Sequence, residues 1–324
     1  MNYRALHERL ARGDVLVLDG ATGTELQRRG VPMHQQAWSA TALLTHADTV
    51  RQLHADYIAA GADIVIADSF STARHVLEPA GLGDRVAELN RAAMRLARQA
   101  ADAADRPIWV AGSVSSFVPE SDARNTPSEA SLAASYREQA DLLAEAGADF
   151  LMLEMMREPA RARLAVRAAA TTGLPLWVGF STLMRRDGRT VRLRGPEDSS
   201  GRIDADETVP TLAEIFASIM AEGGVLAGIM HTEVEDTAVA LDEVFRLWSG
   251  PVMVYPHSGG WANPNWQFSG VIAPAAFAAA AKGWVERGVQ VVGGCCGIGP
   301  EHIRALARTL PKSLPLGARR AMVT

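Results

Sequence analysis

The chain has 324 residues, of which 48% are hydrophobic and 21% charged, and this balance excludes an intrinsically disordered composition. Its 32 Lys and Arg residues against 37 Asp and Glu residues give a net charge of −5, with no basic stripe, which argues against a nucleic-acid partner. The opening residues lack an apolar signal core, and no window approaches the ~18 consecutive apolar residues of a membrane span, so we predict no membrane partner and a cytoplasmic location.

Short β-branched runs alternate along the chain with stretches of helical period that are rich in Ala, Leu and Arg. Eight strands are predicted, at residues 15–19, 63–68, 108–113, 150–154, 176–181, 225–231, 252–257 and 290–296. The clearest helices are predicted at residues 84–101, 131–146, 158–171, 211–221, 234–248, 274–287 and 301–309. Several helices close on Gly just before the next strand, and every predicted strand ends on a polar or ionisable residue.

This repeated unit predicts an α/β fold, a single (β/α)8 TIM barrel that forms one domain over residues 1–324. The segments AGADIVIAD (60–68) and AGADFLMLE (146–154) share a helix-end Gly, an apolar strand and a terminal carboxylate, as a repeating unit requires. The alternative is an open doubly wound sheet, but DGATGTEL after the first strand matches poorly the Gly-rich phosphate loop of that fold. In a barrel, the polar strand ends gather on the catalytic face.

A charged, Gly-rich segment at residues 185–207 follows the fifth predicted strand. A segment of this length and composition is typical of a functional loop, so we predict a loop or hairpin on the catalytic face.

Both cysteines of the chain, Cys295 and Cys296, end the last predicted strand in the sequence VVGGCCG. Consecutive side chains of a regular strand point to opposite faces, and Gly293 and Gly294 permit the bend that would bring both thiols to one point. Two thiolates suit zinc, which in catalytic sites takes three protein ligands and leaves a fourth position open. The alternative is a pair of buried, inert cysteines.

With these motifs the chain resembles the homocysteine S-methyltransferase family, which includes the S-methylmethionine and betaine enzymes. The resemblance covers nearly the whole chain. It is carried by LDGATGTELQRRG (18–30), the Trp38-to-His54 segment, AGADIVIADSF (60–70), AGADFLMLE (146–154), YPHSGGW (255–261) and GWVERGVQVVGGCCGIGPEHIRAL (283–306). It implies a zinc-bearing barrel in which the metal binds the homocysteine thiol and a thiolate attacks the methyl group of an onium donor. No general acid or base beyond the metal site is then expected.

The chain departs from the family at two positions near the metal. The family's first cysteine ligand, at the end of strand six, is replaced by His231. We predict a zinc site of His231, Cys295 and Cys296, because imidazole is a common zinc ligand. The alternative is a hydrogen-bonded pocket histidine in a site that binds metal weakly or not at all. His257 replaces the Asn of a Pro-Asn-Ser-Gly motif, and it could ligate the metal, orient a ligand or contact the substrate.

The resemblance also implies the substrate contacts. Asp19, Gly20 and Glu154 match the homocysteine site, where an acidic group suits the substrate ammonium, and we predict His257 as a further substrate contact. Four residues are assigned to the donor side; the alternative for the aromatic ones is a core or lid role. They are Trp38, Asp68, Phe70 and Trp261. An aromatic face favours a cation that bears methyl groups, and at Asp68 the family more often has Asn or Thr.

The sequence thus predicts zinc-dependent methyl transfer from a small onium donor to homocysteine, with S-methylmethionine favoured over betaine. The alternatives are a zinc-dependent hydrolase or lyase and a metal-free binding protein that has lost catalysis. The partners are two small molecules, and a homo-oligomer stays open.

Overall fold

The structure, a computed structural model, describes residues 3–118, 127–184, 190–193, 209–315 and 317–318. Eight parallel strands form its central sheet: β1 (Leu16–Val17), β2 (Ile64–Ile66), β3 (Trp109–Ser115), β4 (Phe150–Glu154), β5 (Leu176–Met184), β7 (Gly224–Glu233), β8 (Val252–His257) and β11 (Val291–Val292). Their order is β1-β11-β8-β7-β5-β4-β3-β2, and a parallel bridge between Leu18 and Ile64 joins the first strand to the last. The ring confirms the predicted barrel and excludes the open doubly wound sheet.

Twelve α-helices are found among the described residues: the first precedes the first strand, the last follows the last strand, and the others lie between strands. They are α1 (Tyr3–Ala11), α2 (Gly23–Arg28), α3 (Ala42–Thr45), α4 (Ala47–Ala60), α5 (Arg74–Leu77), α6 (Val86–Asp102), α7 (Glu129–Glu145), α8 (Pro159–Ala170), α9 (Leu212–Met220), α10 (Thr237–Leu247), α11 (Pro274–Glu286) and α12 (Pro300–Thr309). In the part of the chain that is described, no helix is both long and apolar enough to cross a membrane.

Local sequence explains where the helices begin and end. Thr211 and Glu214 form a reciprocal capping box at the start of α9. At the start of α8, the side chain of Glu158 accepts hydrogen bonds from two backbone N–H groups. Helix α4 ends at Gly61, whose φ of 115° few other residues tolerate.

The core has two parts, as expected for a barrel wrapped in helices. The larger cluster lies between the sheet and the helices, and the smaller fills the barrel interior. Helix α1 contributes Leu6 and Leu10 to the interior cluster, and Trp177 donates a hydrogen bond from Nε1 to the Tyr3 hydroxyl at 3.0 Å. Helix α1 therefore closes the amino-terminal end of the barrel, a role that the sequence analysis did not assign to it.

Three short strands lie outside the ring: β6 (Val191–Leu193), β9 (Gly260–Ala262) and β10 (Asn265–Gln267). Strand β6 pairs antiparallel with the end of β5, with Thr182 opposite Leu193, so residues 191–193 of the charged segment extend the sheet beside β5. The rest of that segment, residues 185–189 and 194–207, lies outside the described residues. Strands β9 and β10 form a hairpin that was not predicted. The assignment of residues 1–324 to one domain stays a prediction.

Candidate active site

A cavity of about 360 Å³ opens at the carboxyl ends of the barrel strands. Its wall is formed by residues at or just beyond the carboxyl ends of β1, β2, β3, β4, β7, β8 and β11, and by the segments around Gln35 and Trp261. This is the face on which barrel enzymes build their active sites. The predicted site residues can therefore be compared by their position around one cavity.

Two thiols and an imidazole meet at the cavity wall. One ligand atom from each of His231, Cys295 and Cys296 lies within 4.8 Å of the other two. The Sγ atom of Cys295 is 3.5 Å from Nδ1 of His231 and 3.9 Å from Sγ of Cys296. Two sulfurs and one imidazole are a donor set that zinc prefers, and a three-residue set leaves a coordination position open. The chemistry of this cluster therefore fits a zinc ion.

The backbone around the cluster explains how these side chains come together. Strand β11 ends before Gly293, where an added Cβ would lie 2.6 Å from the Asp19 carbonyl oxygen, so the chain packs too closely for a larger residue. The pairing of β7 with β8 shifts register between Met230 and Glu233, and His231 lies in this bulge with a φ of 43°. A bulge changes the direction in which a side chain points.

The electrostatics of the cluster favour a sulfur ligand in its anionic form. A hydrogen bond from Cys296 and the adjacent His231 imidazole hold the pKa of the Cys295 thiol well below its ordinary value, against the opposite effect of burial. The thiolate is the form that binds metals.

His257 lies behind His231 rather than on the cavity wall. Its ring centroid is 4.3 Å from that of His231, its side chain is buried, and its Nε2 lies 2.9 Å from Oε1 of Glu233. It is absent both from the three-residue cluster and from the lining of the cavity. The structure thus places His231 with the cysteines and places His257 where it can orient the His231 ring.

Glu154, the last residue of β4, is buried on the cavity wall. Ser113 donates a hydrogen bond to its carboxylate, and burial raises the pKa of Glu154 to about 8. Tyr255 of β8 lines the same cavity, a position that sequence analysis did not single out. Burial has removed water from the Glu154 carboxyl group, and few protein groups replace that water as hydrogen-bond partners. A cationic group of a ligand would therefore be stabilised here.

Asp19 and Gly20 have different positions. The carboxylate of Asp19 accepts a hydrogen bond from the backbone N–H of Ile66 at 2.8 Å, which links the end of β1 to β2. Asp19 does not line the cavity. Burial raises its pKa well above the ordinary value. Gly20 does line the cavity, and an added Cβ would lie 2.4 Å from the Ile298 carbonyl oxygen. Of this pair, only Gly20 is exposed to a ligand.

The four residues predicted for the donor side all line the cavity. The rings of Phe70 and Trp261 meet the Trp38 ring nearly edge-on, with centroids 5.8 and 6.3 Å from it. Trp38 itself has a φ of 43°, a conformation rare for a large side chain. Asp68 adjoins this aromatic group, because its Oδ1 accepts a hydrogen bond at 2.8 Å from Ser39, the residue after Trp38.

Among the lining residues that sequence analysis did not single out, three add an aromatic ring or a positive charge. Phe117 packs its ring 5.7 Å from that of Phe70, and the guanidinium-bearing Arg157 and Arg161 follow β4. None belongs to a motif that marks chemistry in the sequence, since each reaches the cavity from a loop or a first helical turn. Two arginines on the wall add a feature that suits substrate carboxylates.

Comparison with known proteins gives a consistent result. A family model described as homocysteine S-methyltransferase matches residues 16–310. The homocysteine S-methyltransferase YbgG of Bacillus subtilis is 29% identical over 90% of this chain and 93% of its own, and a selenocysteine methyltransferase of Astragalus bisulcatus is 28% identical over 92% and 93%. The metallated form of the Escherichia coli homocysteine methyltransferase MmuM has a TM-score of 0.70 at 25% identity, covering 94% of this chain and 99% of that chain.

Proposed function

Because this chain belongs to the homocysteine S-methyltransferase family and is a methyltransferase, we propose that it transfers a methyl group from a small sulfonium or quaternary ammonium donor to the thiol of homocysteine, giving methionine. S-methylmethionine is the donor we favour, and betaine is the next. Both substrates are small, polar molecules, and we expect the reaction in the cytoplasm.

The observation that carries this proposal is the cluster of His231, Cys295 and Cys296 on the wall of a cavity that also presents an aromatic group. We propose that these three residues hold Zn²⁺. Zinc bound there would act as a Lewis acid that keeps an acceptor thiol in its thiolate form at neutral pH. The metallated structure of the E. coli relative supports metal use within the family.

The acceptor would be held by groups at the strand ends. We propose that the buried carboxylate of Glu154 binds the α-ammonium of homocysteine, since a charge-assisted hydrogen bond is strongest where water is excluded. Gly20 lets the substrate approach the backbone closely, because it presents no side chain to the cavity. We assign Asp19 and His257 positioning roles, the first through Ile66 and the second through the His231 ring.

The donor would lie against the rings of Trp38, Phe70 and Trp261, whose faces favour an onium cation. In the transfer, the homocysteine sulfur forms a C–S bond to the methyl carbon while the onium–methyl bond breaks and its electron pair returns to the donor heteroatom. The donor leaves neutral at that atom, so no proton is needed. The role of the protein is therefore to align sulfur and carbon and to exclude water.

The test is a methyl-transfer assay with purified protein of measured zinc content. Homocysteine labelled in its carbon chain should yield labelled methionine only when the donor is present. The matched variant Cys296→Ser should lose most of both zinc and activity, whereas His257→Ala, which keeps the three-residue cluster, should retain zinc.

Other outcomes separate the competing functions. Consumption of donor without labelled methionine would support a hydrolase or lyase that uses zinc-bound water. Absence of both zinc and turnover would support a binding protein that has lost catalysis. Either result would overturn the proposed transfer to homocysteine.

A further inference from the structure

Asp68 is a buried carboxyl group that protein contacts satisfy only in part. Its side chain is 3% exposed and lines the cavity. Oδ1 accepts the Ser39 hydrogen bond at 2.8 Å, whereas Oδ2 is buried and has no hydrogen-bond partner among the described residues. None of the described Lys and Arg side chains forms an ion pair with it. A buried carboxylate in this state costs free energy until a partner reaches it.

A ligand group that pairs with the Asp68 carboxyl can approach it from the cavity. Asp68 adjoins the aromatic group through Ser39, and Phe70 follows it by two residues, so a molecule held against the rings also meets this carboxyl. Burial raises the pKa of Asp68 to about 7, which a cation bound beside it would lower again.

Glu154 gives the cavity a second buried carboxyl group. It is 7% exposed, accepts a hydrogen bond from Ser113, lies at the end of β4 and has a raised pKa. An α-amino acid brings one ammonium group. A cavity with two such carboxyls therefore matches two amino acids, one on the side of the cysteines and one on the side of the aromatic rings.

We propose that Asp68 binds the α-ammonium group of the methyl donor, so that the cavity selects a sulfonium amino acid over a quaternary ammonium compound. This inference rests on the proposed function and deepens it. A quaternary ammonium carries no N–H and cannot satisfy Oδ2, whereas a primary ammonium donates a hydrogen bond to it. Asp68 is thus a specificity-determining residue that acts on the donor alone.

The experiment compares two donors that differ only in this group. S-methylmethionine carries the ammonium, and 4-(dimethylsulfonio)butanoate is the same molecule without it. At pH 8 the wild-type enzyme should favour S-methylmethionine in kcat/KM by about ten- to a hundredfold, the range of one charge-assisted hydrogen bond. In Asp68→Asn this preference should fall to near one, through a higher KM for S-methylmethionine and little change for the deamino donor. Activity with the deamino donor shows that the variant is folded.

Glu154→Gln is the matched variant on the acceptor side. It should raise the KM for homocysteine and leave the preference between the two donors unchanged. The inference is overturned if the wild-type enzyme shows no preference, if Asp68→Asn lowers kcat/KM equally for both donors, or if Glu154→Gln removes the preference as effectively as Asp68→Asn.

Failure of the proposed function gives a different result. If the wild-type protein transfers methyl groups from neither donor, calorimetry with S-methylmethionine still decides the role of Asp68. Binding that weakens about ten- to a hundredfold in Asp68→Asn supports the ammonium contact. Equal binding by both proteins, or none by the wild type, overturns it.

Discussion

Replacing Asp68 with asparagine is expected to stabilise the folded protein, and the gain should grow as the pH rises. Burial raises the pKa of this carboxyl from 3.8 to about 7. Between these values the folded protein keeps a proton that the unfolded chain has released, so ionisation of Asp68 opposes folding. The protonated Asp68 side chain makes its full contribution to stability below about pH 4. This contribution is lost as the pH rises through 7. Asparagine does not titrate and avoids this loss.

The size of the effect follows from the two pKa values. A separation of about 3 units corresponds to about 4 kcal/mol over the whole titration, of which about 3 kcal/mol falls between pH 5 and pH 9. Burial raises the pKa and the Ser39 hydrogen bond opposes this rise, with no charged neighbour involved. The difference between variant and wild type therefore isolates a single group.

The measurement is urea unfolding of both proteins at pH 5, 7 and 9, followed by tryptophan fluorescence and circular dichroism to check for one transition. The matched control is Asp149→Asn, because Asp149 is also buried but pairs with Arg98 at 2.9 Å. This control should destabilise the protein at pH 7 and 9. A stability gap between Asp68→Asn and wild type that stays constant from pH 5 to pH 9 would refute the reasoning.

Three further predictions concern the metal and the acceptor. Cys295→Ser and Cys296→Ser should each lose most of the zinc that we expect elemental analysis to find, because each removes one of the three proposed ligands; full retention in both would exclude the site. His231→Ala should lose zinc and His257→Ala should keep it, since only the first ring lies with the cysteines; the reverse result would reassign the third ligand. Glu154→Gln should weaken homocysteine binding by about ten- to a hundredfold in calorimetry without changing the zinc content, and unchanged affinity would reject its contact with the ammonium.

The barrel could be predicted because its signals are local. Gly stops such as Gly61 and the apolar runs between them repeat along the chain, and eight repeats of this unit close into one ring. The two cysteines could be linked to a metal because adjacent thiols beside Gly293 and Gly294 are a local pattern as well. Helix α1 and the hairpin of β9 and β10 were not predicted, because their positions depend on distant surfaces that they cover.

The directions of individual side chains could not be predicted. The resemblance predicted His231 rather than His257 as the residue beside the cysteines, but the bulge and the positive φ that direct the His231 side chain there leave no local pattern in the sequence. The substrate contact of Asp19 stays a prediction, and the hydrogen bond that its carboxylate accepts from the backbone of Ile66 was not predicted. Arg157 reaches the cavity from the segment after β4, where no local pattern marks it. Each outcome depends on a backbone detail or on a neighbour that lies far away in the sequence.

The closure of the amino-terminal end of the barrel by α1 affects the order in which substrates can bind. Because α1 fills that end with Leu6 and Leu10, both substrates must pass through the same opening. Glu154, proposed for the acceptor, is the last residue of β4, whereas Trp38 of the proposed donor side precedes α3 and Trp261 lies in β9, outside the ring. A donor held at these outer residues would lie between the opening and the acceptor. If the two substrates bind as proposed, we expect a compulsory order in which the acceptor binds before the donor and the donor-derived product departs before the methylated acceptor.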